Sequence, residues 1–325
     1  MKPRRRTGRP ALTAALLACL WAAIGPLSAE GPGLDDAEIE RRLRLHHTES
    51  SRVRLVLLPT AVTDRRGRIV RGLDESDFTV FEDGAPQEIR FFSSETTEPV
   101  SIAFVLDVSG SMRQLDKLQH AKEAIRYFVD NLRQGDQFAL IAFADDQVDW
   151  ITEFTGDRDR FLRRLDVQQG FGQTALNDAI AATPRLVDDS ISGRKAIVLV
   201  TDGIDNASTM SMYRAVALAR QVNVPIFTLG FLSVSAEALP RGAVETNFQV
   251  LDRVANETGG RLFAVHGPVE LKEAIAFLDA ELRFQYMLGY YPRRIPEQGE
   301  FRQIRLEVDR RRLSARTRSG YYANP

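Results

Sequence analysis

The sequence predicts an α/β fold, a doubly wound and mostly parallel sheet inserted in a small β-sandwich formed by both flanks. Three observations carry this expectation. Five short apolar runs recur between residues 101 and 265, with amphipathic helical stretches between them. Stretches of β pattern broken by turn residues flank that region on both sides. Neither flank has enough strands to bury a sheet face alone, and a lone hairpin is marginal in water.

Taken in order, residues 1–29 read as a signal peptide. Lys2, Arg4, Arg5, Arg6 and Arg9 precede an apolar run over residues 11–24, and Leu27-Ser28-Ala29 supplies the small residues of a cleavage site. About 14 apolar residues fall short of the roughly 20 that a spanning helix needs. Leu16-Leu17-Ala18-Cys19 leaves lipid modification open as an alternative. Removal of residues 1–29 takes five basic and no acidic side chains, moving the formal charge from −1 to −6. A mildly acidic protein is a poor partner for nucleic acid or anionic membranes. The one cysteine falls inside the signal, so disulfides, thiolate-zinc sites and cysteine nucleophiles are excluded from the mature chain. No second apolar stretch approaches spanning length, so the expected location is beyond the inner membrane, periplasmic or extracellular.

Residues 30–51 form a polar leader, with a short helix over 35–45. The adjacent pair His46-His47 has no other ligand residues nearby and reads as solvated. Residues 52–97 are the first part of the sandwich. Phe78-Thr79-Val80-Phe81, a turn at Glu82-Asp83-Gly84, and Glu88-Ile89-Arg90-Phe91 read as a hairpin. Residues 284–325 are the second part, where Ile304, Leu306 and Val308 alternate with Arg305, Glu307 and Asp309 in the cleanest period-two stretch.

Residues 98–283 alternate strand and helix. Strands are expected at 101–106 (SIAFVL), 138–143 (FALIAF), 196–200 (AIVLV), 225–229 (PIFTL) and 261–265 (RLFAV). Continuous apolar runs of this kind suit strands covered on both faces. Helices are expected at 115–132, 157–165, 175–186, 210–221, 248–258 and 269–282. Residues 148–154 (VDWITEF) follow a turn at Asp145-Asp146 and read as an antiparallel edge strand.

In an open doubly wound sheet the binding crevice lies beyond the carboxyl ends of the strands. The first strand runs there into Asp107-Val108-Ser109-Gly110-Ser111, the 196–200 strand into Thr201-Asp202-Gly203, and the loop 170–176 carries Thr174 to a helix start. Two carboxylates and three hydroxyls thus converge, without histidine or sulfur. Oxygen-only donors suit a hard ion such as Mg2+, with Mn2+ or Ca2+ as alternatives. Asp107, Ser109 and Ser111 sit two apart in an extended turn, so alternate side chains reach one ion. With only two acids nearby the ion keeps positive charge and accepts a partner's carboxylate. Each residue alone has a plainer role: Ser109 and Ser111 as helix caps, Asp202-Gly203 as a turn, Asp178 as a first-turn acid, Asp205-Asn206 as loop.

The DxSxS run at 107–111, the Thr174 loop and the Asp202-Gly203 pair resemble the metal-ion-dependent adhesion site of von Willebrand factor type A domains, whose Rossmann-like fold agrees with the alternation above. The resemblance covers about residues 98–283. It implies Ser109, Ser111 and Thr174 as hydroxyl ligands, Asp107 and Asp202 acting largely through water, and an acidic partner residue in the remaining position. The flanks, with 78–92 (FTVFEDGAPQEIRFF) and 287–291 (MLGYY), are similar to bacterial envelope proteins related to this family.

The expectation is therefore an exported, non-enzymatic, metal-dependent protein-binding module. A structural envelope protein whose metal only stabilises loops is the alternative. A hydrolase using Asp107 is another, but phosphatase chemistry of that kind wants a second acid where Ser109 stands. Of the histidines only His120 and His266 fall in the α/β region, one in an expected helix and one ending a strand. The phosphate-binding GxxxxGK[ST] pattern of a nucleotide-driven machine is missing from the sequence.

Overall fold

The computed structural model describes residues 55–94, 99–131, 133–190, 194–221, 224–231 and 241–323. The expected signal and leader, with Cys19, His46 and His47, lie outside the described residues.

The central sheet has six strands: β5 (Val100–Asp107), β6 (Gln137–Ala144), β7 (Gln147–Thr155), β8 (Arg194–Thr201), β9 (Ile226–Phe231) and β10 (Leu262–Val265), in the order β10-β9-β8-β5-β6-β7. All neighbours run parallel except β7, which pairs antiparallel with β6 at the edge. Every residue of β5 is buried, because the sheet is covered on both sides. Its side chains alternate between two cores. Ile102, Phe104 and Leu106 pack with α1 (Lys117–Asp130), α2 (Arg158–Asp166) and α6 (Pro268–Arg283), while Ala103 and Val105 pack with α3 (Leu176–Ser190), α4 (Met212–Ala219) and α5 (Arg241–Thr258). Period-two alternation with apolar residues on both faces is what the continuous apolar run encodes. Connections leave β5 toward β6 on one side while β8 lies on its other side, so the switch point falls at the carboxyl ends of β5 and β8.

The flanks supply β1 (Val56–Asp64), β2 (Phe78–Glu82), β3 (Ala85–Gln87) and β4 (Ile89–Ser93), then β11 (Tyr286–Tyr290), β12 (Phe301–Val308), β13 (Leu313–Arg316) and β14 (Gly320–Tyr322). They form two four-stranded sheets, ordered β13-β1-β11-β4 and β14-β12-β2-β3. Each sheet takes two strands from each flank. Leu58, Val62, Tyr286 and Leu288 of one sheet enclose a common core with Phe78, Val80 and Ile304 of the other.

Three expectations need correction. The hairpin partner of β2 is Ala85–Gln87, not 88–91: Asp83 and Gly84 both take positive φ (49° and 80°), a two-residue turn that sets Ala85 opposite Glu82. Pro86 is tolerated because β3 is an edge strand, and β4 crosses to the other sheet to pair with β11. The helix expected from 115 begins at Lys117, since Leu115 and Asp116 both have φ 54° and end a 3-10 turn over Gly110–Asp116. The helix expected from 248 begins at Arg241, ahead of the apolar periodicity that marked it.

The sandwich meets the α/β body at the amino ends of its strands. Arg194, opening β8, donates to Leu282 O (2.9 Å) and Gln285 Oε1 (3.2 Å). Arg283, ending α6, pairs at 2.5 Å with Asp136, which precedes β6, and Arg316 of β13 pairs with the buried Glu281. No described helix is long and apolar enough to cross a membrane.

Candidate metal centre

Asp107 ends β5 and is fully buried. Its Oδ1 accepts the Ser109 N–H at 2.9 Å, and its Oδ2 accepts the Thr201 hydroxyl at 2.6 Å. Burial pushes its carboxyl up to about 6, against the opposing pull of the Thr201 and Ser109 hydrogen bonds. The carboxylate form is thus one that a nearby cation would favour.

Ser109 is extended (φ −68°, ψ 167°) and stands at the start of the 3-10 turn, without capping it through its side chain. Ser111 therefore lies on the first turn of that 3-10 segment rather than in an extended run, which corrects the sequence reading. The two hydroxyl oxygens are nonetheless 3.0 Å apart. Gly110 matters for space, because a Cβ there would press on the Gly172 carbonyl at 3.0 Å.

Backbone bonds join the three loops. Gly110 N–H donates to Gly172 O (3.0 Å) and Phe171 N–H to Val108 O (2.8 Å), binding the Thr174 loop to the Asp107 loop. Asn206 and Ala207 N–H both donate to Thr174 O at 3.0 Å, binding the loop after Asp202 to the same residue. Asp202 Oδ1 accepts the Ile204 N–H at 3.3 Å, and its Oδ2 meets the Lys117 ammonium at 2.5 Å. The five expected side chains thus stand on loops tied directly to one another at the switch point. Four are buried, and Ser111 is partly exposed beside the exposed stretch Phe171-Gly172-Gln173.

The donors fit a hard divalent ion on three counts. The Thr174 hydroxyl is buried without a hydrogen-bond partner, a cost that a ligated cation would remove. The 3.0 Å between the serine oxygens matches the edge of an octahedron with bonds of about 2.1 Å, as Mg2+ prefers. All donors are oxygen, and among the described residues no three His, Cys, Asp or Glu come together as a metal cluster of another kind. Both carboxylates already accept protein hydrogen bonds on each oxygen, which suits ligation through water rather than by direct displacement.

Several supporting residues carried no signal in the sequence. Asn206 Oδ1 accepts the Thr174 N–H (2.8 Å), so a residue read as plain loop orients a candidate ligand. Asp145, at φ 51°, accepts Gln173 N–H at 2.7 Å and bends the Thr174 loop. Asp178 does stand in the first turn of α3, but its carboxylate also accepts the N–H groups of Thr209 (2.9 Å) and Met210 (3.0 Å) and so anchors the loop after Asp202. Lys117 and Thr201 were missed as well; the hydroxyl next to Asp202 in the sequence was the nearest clue.

Residues 101–275 match the von Willebrand factor type A domain. The chain belongs to that family. Its type A domain is 28% identical over 194 residues to an uncharacterised protein of Borreliella burgdorferi, the match covering 54% of this chain and 56% of that protein. It is 26% identical over 201 residues to inter-alpha-trypsin inhibitor heavy chain H2 of Mus musculus, covering 55% of this chain and 19% of the other. The chain thus spans little more than half of the first relative's length and about a fifth of the second's. Among solved structures it is similar to a von Willebrand factor type A protein of Catenulispora acidiphila, at 15% identity and a TM-score of 0.48, over 82% of this chain and 74% of that one. The α/β fold with a mostly parallel sheet is that of the type A family, which is related to adhesion and protein-binding modules.

Proposed function

We propose that the chain is an exported, metal-dependent protein-binding module. Ser109, Ser111 and Thr174 hold a divalent ion, Mg2+ foremost, through their hydroxyls; Asp107 and Asp202 act through water; an acidic residue of a partner protein completes the coordination. When bound, the ion supplies an electrophilic position for that carboxylate. The observation that carries this reading is the buried, unpartnered Thr174 hydroxyl on a loop tied by backbone hydrogen bonds to the Ser109-Ser111 pair.

Backbone hydrogen bonds of 2.8 to 3.0 Å join the loops directly to one another. A hydrolytic role finds no support: among the described residues no histidine hydrogen-bonds either serine hydroxyl, and both Asp107 oxygens are engaged. Export rests on the basic and apolar start of the sequence.

The test is an envelope-extract pull-down with the full chain in Mg2+ and in chelator, alongside the Ser109→Ala/Ser111→Ala double variant. Partner capture should require both Mg2+ and the serines while circular dichroism stays unchanged. Capture that persists in chelator, or in the folded double variant, would overturn the proposal.

A further inference from the structure

A lysine stands inside the candidate centre. The Lys117 ammonium and Asp202 Oδ2 are 2.5 Å apart, with side chains only 5% and 1% exposed. Buried ammonium groups are costly unless paired, so the position is a specified one. The backbone that delivers it is itself unusual. Leu115 and Asp116 are consecutive non-glycine residues at φ 54°, a conformation that L-residues avoid, and they close the 3-10 segment carrying Ser111 directly ahead of α1, whose first residue is Lys117. Backbone strain of this kind persists only where surrounding structure holds it.

Building on the metal-binding reading above, we propose that Lys117 sets the charge of the loaded centre and thereby its preference for an anionic partner. Contrary to the expectation that two acids leave the ion positive, Asp107 and Asp202 alone would neutralise a divalent ion. With Lys117 cancelling one of them, the loaded centre keeps one net positive charge. The ion is held less tightly by the protein, and the open position favours a carboxylate over water or a neutral oxygen. The size of the effect follows from Coulomb's law: like charges about 5 Å apart in a protein interior shift an equilibrium by more than about tenfold. Lys117 is thus a specificity-determining residue that acts through Asp202.

The experiment titrates the full wild-type chain, Lys117→Gln and Lys117→Arg with Mn2+ by calorimetry, then follows Mn2+-induced relaxation of acetate methyl protons at saturating metal. Glutamine keeps a donor for Asp202 without the charge; arginine keeps the charge. Lys117→Gln should bind Mn2+ at least about tenfold more tightly and draw less acetate, with Lys117→Arg within about threefold of wild type. Equal or weaker Mn2+ binding by folded Lys117→Gln, with wild type still binding, overturns this inference alone. Failure of wild type to bind Mn2+ any better than Ser109→Ala/Ser111→Ala overturns the metal-binding reading and this inference with it. Should Lys117→Gln not fold, Lys117→Met takes its place. Loss of fold in both even in millimolar Mg2+ also overturns the inference, because a bound divalent ion would replace the ammonium opposite Asp202.

Discussion

Tyr290 and Glu82 stand on opposite sheets of the sandwich, and the phenol donates a 2.6 Å hydrogen bond to the carboxylate across the core. Glu82 also accepts Tyr321 OH at 2.9 Å and pairs with Arg302 at 2.5 Å, its side chain fully buried. Burial, and then the Glu82 carboxylate, hold the Tyr290 hydroxyl above the ordinary phenol range, so it remains a donor. Glu82→Ala would leave Arg302, whose side chain is 5% exposed, without its main partner. Breaking a buried pair from one side costs about 3 to 5 kcal/mol. Urea unfolding of the variant is expected to show that loss, and a change under about 1 kcal/mol would mean that Asp83 and Glu300 suffice to hold Arg302.

Thr174→Val separates folding from metal binding. Valine keeps the shape and removes a buried hydroxyl that has no partner. In chelator the variant is expected to match wild type or to gain about 1 kcal/mol. Its thermal stabilisation by Mg2+ should disappear. A variant that is destabilised in chelator yet still stabilised by Mg2+ would assign the hydroxyl a purely structural contact.

Gly172→Ala probes the geometry of the Thr174 loop. Gly172 has φ +66°, and a Cβ would lie 2.2 to 2.6 Å from the Asp145 carboxyl group. Asp145 would have to swing away and release the Gln173 N–H. The expected result is a folded protein whose Mg2+ affinity falls by about tenfold, since small misplacements of a ligand loop carry that order of penalty. Calorimetric titration checks it, and undiminished affinity would show that the loop tolerates the shift.

Glu300 sets an acid limb of the stability curve. The Arg294 guanidinium beside it, then the Glu297 N–H, hold its carboxyl down at about 2 against an ordinary 4.5. A depressed acid contributes stability above its unfolded value and loses it as pH falls through the folded one. Relative to Glu300→Gln, wild type should have the higher melting temperature at pH 6, the difference shrinking between about pH 4.5 and 2. The same gap at pH 2 and pH 6 would remove Glu300 from the account.

Much of the fold was legible because its signals are local. Residues 102–106 are apolar at every position since β5 feeds two cores, and the alternation at Ile304 and Leu306 marks a strand with one covered face. Asp107, Ser109 and Ser111 were legible for the same reason: their spacing is written within five residues. Lys117 was not, because its partner Asp202 is 85 positions away and nothing in a helical pattern says which end of which helix meets which strand. Asn206 and Thr174, 32 positions apart, were hidden likewise. The hairpin was misplaced for a different reason. Asp83-Gly84 is a complete two-residue turn, so the partner strand begins at Ala85, three residues before Glu88, where the apolar alternation first shows.

The entry and exit of the type A domain have a mechanical consequence. β4, which precedes it, and β11, which follows it, are hydrogen-bonded neighbours from Met287↔Ser93 to Tyr290↔Ile89. The candidate centre sits at the far ends of β5 and β8, opposite that paired stem. A tug on a captured partner would therefore run down the body into two adjoining strands at once, so that β4 and β11 take the load together and are not drawn apart from each other.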